Sequence, residues 1–571
     1  MSDSSLGRVS FIVLRHMRAP IIALICVYAI AMLGMVLVPG ISDENGQTMY
    51  MSFFHAFYFL AYTATTTGFG ELPIEFSNAQ RMWAIVCLYT SVITWLYAVG
   101  KIISLLKNPH LQSVLEEESF VRSVRKKSND YYLVCGFGDT GSLLLRGLTD
   151  AGLSAVVLDS DAERIKALDL RDYQTKVLGL CADATIPRLL LDAGVEEKRC
   201  VGVLILTHSE EANLKIAVSV RLLRPDIKII CRSTSPENEG EILAVGGDVH
   251  VVDPFRVFAS YLSMMIYNPT IQTLNEWLSG APDATLEQNI CPLKGGKWVL
   301  CGYGSMGSIV YQRLKEKGID VTVVEERVEN IQEITHNAVL GRINLETLKR
   351  AGLKGSVGLI VGTNSDTFNL NTIHLANQVN SSAFKIVRQN QHANEVLFKK
   401  AGVDFILQPS LVIARMVLFM LTAPLLRPFF RRLRLLYDND PAKLADIMTR
   451  LVTNIGGSRP TVKTYHVNQS MPAVLNFLDE KTVVTLGDIY RDVSERESFL
   501  QMVPLAHQRG EVFKEMPEND LQLRQGDEIL FCIKPGQKNL FDANINNIHT
   551  LGYLLTGKEP IKSSFFRWAM R

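Results

Sequence analysis

Two uninterrupted apolar runs constrain this chain more than anything else in it. Residues 21–38, IIALICVYAIAMLGMVLV, carry no charge and are bracketed by Pro20 and Pro39. Residues 82–106, MWAIVCLYTSVITWLYAVGKIISLL, carry only Lys101, close enough to the end for its side chain to reach an interface. About 18 such residues suffice for a helix to cross a bilayer. The first run is too long for the core of a cleaved leader, and no small-residue cleavage site follows it. Arg8, Arg15 and Arg18 precede the first run, and Lys101, Lys107, Arg122, Arg125, Lys126 and Lys127 lie at or beyond the end of the second. Residues 39–80 contain no Lys or Arg. Positive-inside bias then predicts a hairpin in the lipid bilayer with both termini cytoplasmic.

The segment joining the two runs is not a plain loop. Residues 51–64, MSFFHAFYFLAYTA, are apolar and aromatic over about four turns, too short to span but suited to a re-entrant helix. TTTGFGE follows at once. Irregular backbone at membrane depth is tolerated only where it is buried in protein or lines a water-filled cavity. This order of span, short helix, Thr/Gly turn and span resembles the potassium-channel pore, whose TVGYG loops present carbonyl oxygens in place of an ion's hydration shell. Thr66, Thr67, Gly68, Phe69 and Gly70 stand in that register. Three positions depart from the family form: Thr67 for valine, Phe69 for tyrosine and Glu71 for aspartate. Phenylalanine lacks the hydroxyl behind the filter, and threonine puts a polar group where an apolar one packs. Both bear on selectivity for K⁺ over Na⁺. In the resembling family the second span lines the pore and often bends at a glycine about twenty residues past the filter. Here LYTSVITW, 88–95, has none. The expected cytoplasmic constriction is Leu96 to Gly100.

Beyond a charged linker, 107–128, the pattern becomes alternating strand and helix. YYLVCGFGDTGSLLLRGLTDAGLSAVVLDSD has the dinucleotide fingerprint in its required setting, an apolar strand, a Gly-rich turn and an amphipathic helix. Gly136 makes the turn, Gly138 admits a pyrophosphate, and Gly141 lets helix pack on strand. The turn residues Phe137, Asp139 and Thr140 complete the cradle, where the helix N-terminus offers free N–H groups to phosphate. Asp159, ending the next strand, can accept from ribose hydroxyls. The unit returns 166 residues on, with Gly302, Gly304, Gly307 and Glu325 in the places of Gly136, Gly138, Gly141 and Asp159. DAGV 192–195 pairs with RAGL 350–353, EEANL 210–214 with DTFNL 366–370, IICR 229–232 with KIVR 385–388, and VVDPF 251–255 with ILQPS 406–410. An internal duplication is the economical account. Each copy is followed by an apolar helix, RVFASYLSMMI 256–266 and LVIARMVLFML 411–421, of a kind that docks on a partner.

This duplicated pattern resembles the RCK domain (regulator of K⁺ conductance, also called KTN), of TrkA-N and TrkA-C type. The resemblance implies Rossmann-like domains paired through crossover helices. It also implies a homotetramer in a prokaryotic inner (plasma) membrane, with an eight-domain gating ring under the pore. The permeant ion would be K⁺, and the ligand would be a nucleotide (NAD, NADH, ADP or ATP) or Ca²⁺. The first copy keeps an acid at Asp183, where ribose or adenine could be capped. The second has Gly341-Arg342 there, with Arg342 available to phosphate. Calcium-gated relatives place two glutamates where this chain has Arg232 and Thr234. Glu210-Glu211, Glu237-Asn238-Glu239 and Asp438-Asn439-Asp440 remain as oxygen donors, so a Ca²⁺ site is open but unplaced.

The expected fold class is therefore multidomain: an all-α two-span pore domain with a re-entrant helix, two α/β Rossmann-like RCK domains and a small α+β C-terminal lobe. The expected boundaries are a cytoplasmic N-terminus 1–18, the pore domain 19–106 with filter 66–70, and the linker 107–128. The first RCK domain covers 129–280, a connector 281–295, the second RCK domain 296–448 and the lobe 449–571. Within that lobe, ENDLQLRQGDEILFCI reads as strand-turn-strand. A net charge of +1 gives no footprint for nucleic acid. The nine cysteines form no Cys-x-x-Cys and read as buried apolar residues in a reducing compartment. None of the eleven histidines falls in a catalytic constellation, so no enzyme is expected. Two alternatives stay open, a membrane-anchored NAD-dependent oxidoreductase and the regulatory subunit of a K⁺ transporter.

Overall fold

A computed structural model describes residues 3–42, 48–70, 75–267, 269–279, 296–456, 459–468 and 470–558. It divides into two compact units, Met1–Lys127 and Ser128–Arg571. Glu71, Cys291 and the connector 281–295 lie outside the described residues.

The first unit is helical: α1 (Asp3–Leu37), α2 (Phe53–Ala64), α3 (Asn78–Leu106) and α4 (Pro109–Arg125). Val13–Leu37 of α1 and Asn78–Leu105 of α3 are long and apolar enough to cross a membrane. At 1.5 Å per residue the 25 residues of the first give about 37 Å, more than the roughly 30 Å of a hydrocarbon core. The first helix begins well ahead of the apolar run 21–38. Pro20 lies inside it, where a single missing N–H is tolerated in an apolar helix held by its neighbours. Helix α3 starts with a capping box, Ser77 and Gln80 bonding each other's backbone N–H. The same two side chains tie it to the end of α1, Ser77 Oγ donating to Pro39 O at 2.6 Å and Gln80 Nε2 to Val38 O at 3.4 Å. The linker expected at 107–128 is mostly the helix α4. Its charges hide an apolar pair four residues apart, Phe120 and Val124, both buried, while Glu118 and Arg122 pair on the outside at 3.5 Å.

The second unit opens with a six-stranded, all-parallel sheet: β1 (Tyr131–Cys135), β2 (Ser154–Asp159), β3 (Leu178–Cys181), β4 (Cys200–Ile205), β5 (Lys228–Arg232) and β6 (Val249–Val252), in the order β3-β2-β1-β4-β5-β6. Strands covered on both faces need continuous apolar runs, and YYLVC and SAVVLD supply them with almost every residue buried. Around it lie α5 (Asp139–Asp150), α6 (Ala162–Asp169) and α7 (Glu210–Leu223), followed by α8 (Pro254–Tyr267) and α9 (Pro269–Leu278). The second sheet repeats the plan with β7 (Lys297–Cys301), β8 (Asp320–Glu325), β9 (Ala338–Leu340), β10 (Gly358–Val361), β11 (Phe384–Arg388) and β12 (Phe405–Leu407), in the order β12-β11-β10-β7-β8-β9. Its helices include α10 (Ser305–Glu316), α11 (Asp366–Val379) and α12 (Pro409–Thr422).

The two copies exchange helices. Phe255, Phe258, Ala259 and Leu262 of α8, which leaves the first sheet, are buried with Val310, Tyr311 and Leu314 of α10 in the second domain. Ile413, Ala414 and Val417 of α12, which leaves the second sheet, are buried with Leu144, Leu145 and Leu148 of α5 in the first. The partner expected for these apolar helices is thus the other copy in the same chain. Each fully buried Phe or Leu contributes about 1.5–3 kcal/mol, so neither Rossmann core is complete without its neighbour.

The C-terminal lobe is a four-stranded antiparallel sheet, β13 (Thr461–His466), β14 (Met502–Arg509), β15 (Val512–Glu515) and β16 (Glu528–Ile533), in the order β13-β16-β14-β15. The run read as strand-turn-strand yields one strand, β16. Helices α13 (Leu426–Asn439) and α14 (Pro441–Ile455) cover one face together with Ile271, Leu274, Trp277 and Leu278 of α9. The boundary expected at 448/449 therefore cuts through α14, and the segment ending at 280 lends α9 to the lobe's core. Immediately before β16, Asp527 is fully buried. Arg509 donates to it twice at 2.7 Å, the Arg524 N–H donates at 2.9 Å, and His507 Nε2 lies 3.3 Å away.

Candidate functional site: a left-handed turn and a glycine-rich cavity

Helix α2 is 12 residues, about 18 Å, and cannot span. It is capped by the Ser52 side chain and delivers the chain into the turn 66–70. There Thr66, Gly68 and Gly70 take φ of +60°, +66° and +71°. Left-handed residues alternating with ordinary ones turn successive peptide planes, and glycine takes that conformation without penalty. The turn is fastened to the end of α2: the Thr67 and Gly68 N–H groups donate to Tyr62 O at 2.9 and 3.3 Å, and that of Thr66 to Thr63 O at 3.1 Å. The departure at Thr67 has a local explanation, because its hydroxyl is bonded to that of Thr65 at 2.8 Å. Phe69 stands edge-on to Tyr62, ring centroids 6.5 Å apart. Further along, Leu96 and Gly100 sit four residues apart on α3, both exposed.

In the second unit, the first glycine-rich turn folds as its sequence required. Gly136 has φ +101°, and a methyl on Gly141 would run into the Gly136 carbonyl. Gly138 is the N-cap of α5 with no side-chain cap, which leaves that helix end open to an anion. Asp159 is 5% exposed. Its Oδ2 accepts the Phe137 N–H at 2.5 Å and its Oδ1 the Asp161 N–H at 2.8 Å, with Arg164 Nη1 at 3.6 Å. The carboxylate expected to meet ribose therefore also pins the turn, one lone pair on each oxygen being spent on backbone. A cavity of about 260 Å³ opens here, lined by Gly136, Gly138, Asp159 and Asp183 among others. Asp183 accepts the Thr185 N–H at 2.9 Å. Phe137, Asp139, Thr140 and Gly141 do not line it. Phe137 is buried under the Arg171 guanidinium, and Thr140 is buried in α5.

The second copy repeats the geometry. Gly302 has φ +94°, Gly304 caps α10, and Gly307 abuts the Gly302 carbonyl. Glu325 accepts from the Tyr303 N–H at 2.6 Å and the Arg327 N–H at 3.1 Å. Arg342, expected as a phosphate partner, lies over the Phe368 ring at 5.6 Å.

Several cavity residues carried no sequence signal: Arg164, Thr185, Thr207 and His208. One part of their support was visible in the repeat. Asn213, of the EEANL match, is buried and donates to the carbonyls of Thr207 at 3.2 Å and Arg232 at 3.0 Å, clamping the ends of β4 and β5. Asn369 does the same to Thr363 and Arg388 at 3.1 and 2.8 Å. Two of the candidate calcium acids are engaged elsewhere. Glu210 accepts from Ser233, Thr234 N–H and Thr234 Oγ1 at 2.7–2.8 Å, and Glu239 is paired with Arg256. Among the described residues no group of three His, Cys, Asp or Glu is placed to hold a metal ion.

Comparison with known proteins gives two domain families. The TrkA-N domain matches residues 132–253 and 298–409, and the ion channel domain matches 21–108. Potassium channel protein 1 of Methanocaldococcus jannaschii is 25% identical over 219 residues, 38% of this chain and 64% of that protein. Probable potassium channel protein 2 of the same organism is 23% identical over 227 residues, 39% of this chain and 63% of that one. The chain thus spans somewhat under two thirds of either relative's length. A GsuK channel bound to NAD aligns over 94% of this chain and 99% of its own, with TM-score 0.47 and 15% identity. GsuK bound to ADP aligns over 72% and 99%, with TM-score 0.43 and 19% identity.

Proposed function

We propose that this chain, which joins an ion channel domain to two TrkA-N domains and is homologous to potassium channel proteins, is a potassium channel gated by a nucleotide of the ADP or NAD type. One observation carries the reading. A single chain holds both a left-handed Thr-Gly turn between two membrane-length helices and an open, glycine-lined helix N-terminus.

In this reading four copies assemble in a prokaryotic inner membrane, with both termini cytoplasmic, and bring four Thr66–Gly70 turns around one axis. The carbonyls and the Thr66 hydroxyl then replace the water around K⁺. Eight TrkA-N domains form the cytoplasmic ring. Ligand binding shifts the ring between two states, and the covalent connection through 107–128 carries the shift to α3. This is coupling between distinct sites through an element both bias. The Asp159 cavity is the better ligand site, because its acid at Asp183 is retained. Of the acids considered for Ca²⁺, Glu210 and Glu239 are held by their own neighbours.

Recordings in planar bilayers, with K⁺ or Na⁺ as charge carrier and ADP or NAD⁺ titrated on the cytoplasmic side, test the proposal. K⁺ current that responds to nucleotide is expected. Asp159→Ala leaves the Phe137 and Asp161 N–H groups without their acceptor, and each such buried loss costs about 1–3 kcal/mol. The half-maximal nucleotide concentration should rise at least about tenfold. An unchanged response would remove the cavity from the mechanism, and turnover of nicotinamide would favour an oxidoreductase.

A gate at Leu96–Gly100 follows from the same reading. An apolar ring closes a pore by expelling water. Leu96→Asp should keep it wetted and raise the ligand-free open probability to near its maximum. A variant as closed as the parent protein would place the constriction elsewhere.

A further inference from the structure

The first-domain cavity contains a histidine whose protonation state can be read from its neighbours. His208 follows β4, and its Nδ1 lies 3.2 Å from Nη1 of Arg232 at the end of β5. A guanidinium has donors only, so Nδ1 is the acceptor and the ring proton is on Nε2. That nitrogen is on the cavity side: a methyl placed on Gly138 would lie 3.2 Å from His208 Nε2 and 3.7 Å from Arg164 Nη1. Three kinds of donor therefore converge on one space beside the glycine turn, namely the imidazole N–H, the Arg164 guanidinium and the uncapped N-terminus of α5.

The charged groups facing the ring are Arg232 from β5, Arg164 from α6, Asp139 from α5 and Asp159 from β2. Burial first, then the two arginines, push the imidazole below its ordinary range against the pull of the two carboxylates. The second copy lacks this reach. Asn364 takes the histidine's place, with Oδ1 accepting from Arg388 at 2.7 Å. Nothing lies within 4 Å of a methyl placed on Gly304.

We infer that His208 is a neutral hydrogen-bond donor to the phosphoryl oxygens of the bound nucleotide, and that Arg232 is the positioning residue that fixes its Nε2–H tautomer. The inference rests on the cavity being a nucleotide site. It adds that the site selects for the phosphate and that the discriminating donor belongs to the first domain alone. Arg232 holds the ring by giving a hydrogen bond and meanwhile opposes a second proton on it. Ligand recognition then stays insensitive to cytoplasmic pH although the donor is a histidine.

Calorimetric titration of the full-length protein in detergent with ADP and with adenosine tests this. His208→Ala and His208→Asn should each weaken ADP binding by about ten- to a hundredfold and leave adenosine unchanged, since a hydrogen bond to a charged group is lost. The asparagine keeps an acceptor for Arg232, as in the second copy, and guards against a folding defect. His208→Gln, whose amide N–H extends to the Nε2 position, should stay within about threefold of the parent protein. Arg232→Ala should make ADP affinity rise as pH falls from about 8 to 6, because the freed ring can take a second proton and face the phosphate as a cation. The parent protein's affinity should change less over that range. His208→Asn binding ADP as tightly as the parent protein, or Arg232→Ala with the parent's pH profile, would overturn the assignment while the nucleotide site stood. Failure of the parent protein itself to bind ADP would remove both.

Discussion

Gly68→Ala is expected to abolish K⁺ current while leaving nucleotide affinity unchanged. The reason is conformation, not space. Nothing lies within 4 Å of a methyl at this position, but φ is +66°, a region costing an L-residue roughly 1–2 kcal/mol. Relaxing to ordinary φ reverses the peptide plane and, in the proposed assembly, turns a carbonyl away from its axis. In a fourfold assembly the defect appears four times in one ring, and an ion that has shed its water cannot pass a ring lacking its oxygens. The Gly68 N–H bond to Tyr62 O would be lost at the same step. Flux of K⁺ from liposomes measures the first half of the expectation, and ADP titration of the same protein the second. Current at the parent level would exclude 66–70 as the ion path.

The second large effect concerns stability. Burial alone would raise the Asp527 carboxyl, yet the bonds from Arg509 and the Arg524 N–H, with the His507 ring beside them, outweigh it and hold the group well below the ordinary carboxylate range. Removing the carboxylate takes the charge-assisted acceptor from Arg509, whose guanidinium is a third exposed and keeps some water, a loss of about 1.5–3 kcal/mol. Asp527→Asn should therefore speed hydrogen exchange of the β16 amides, Glu528 to Ile533, by roughly tenfold or more. Exchange at the parent rate would mean that the cluster contributes little to the lobe. The pH dependence has a fixed sign. A carboxyl whose folded value is depressed binds its proton more readily when unfolded. Its contribution is complete above about pH 4, the ordinary aspartate value, and is lost as pH falls toward the folded value. The parent lobe should loosen with acid below that point, and the variant should not show this component.

How much of this could be read from the residues alone depended on whether a signal was periodic. The two spans, the short helix before TTTGFGE and both glycine-rich turns declared themselves. Apolar runs of fixed length and glycines at fixed spacing have few other solutions. Helix α4 did not, because Glu116, Glu117 and Glu118 dominate its composition while Phe120 and Val124 are the buried pair that helps hold it down. The boundary at 448/449 failed for a related reason. Helix α14 belongs to the lobe by its buried residues, Leu444, Ile447 and Leu451, and nothing in its sequence says which neighbour they face. The apolar stripes of α8 and α12 announced a partner but not its identity. At the cavity, glycines and terminal acids were legible because backbone geometry demands them. His208 and Arg164 were not, since their role comes from where separate strand and helix ends meet.

The mutual exchange of α8 and α12 also bears on how the two halves could diverge. Two separate chains pairing this way would depend on their concentration, and any substitution would enter both sides at once. Joined in one polypeptide, each half meets its mate at an effective concentration set by the connecting segment, whatever the expression level. Each position can also change alone. The histidine at 208 and the asparagine at 364 are such a difference between the two sides.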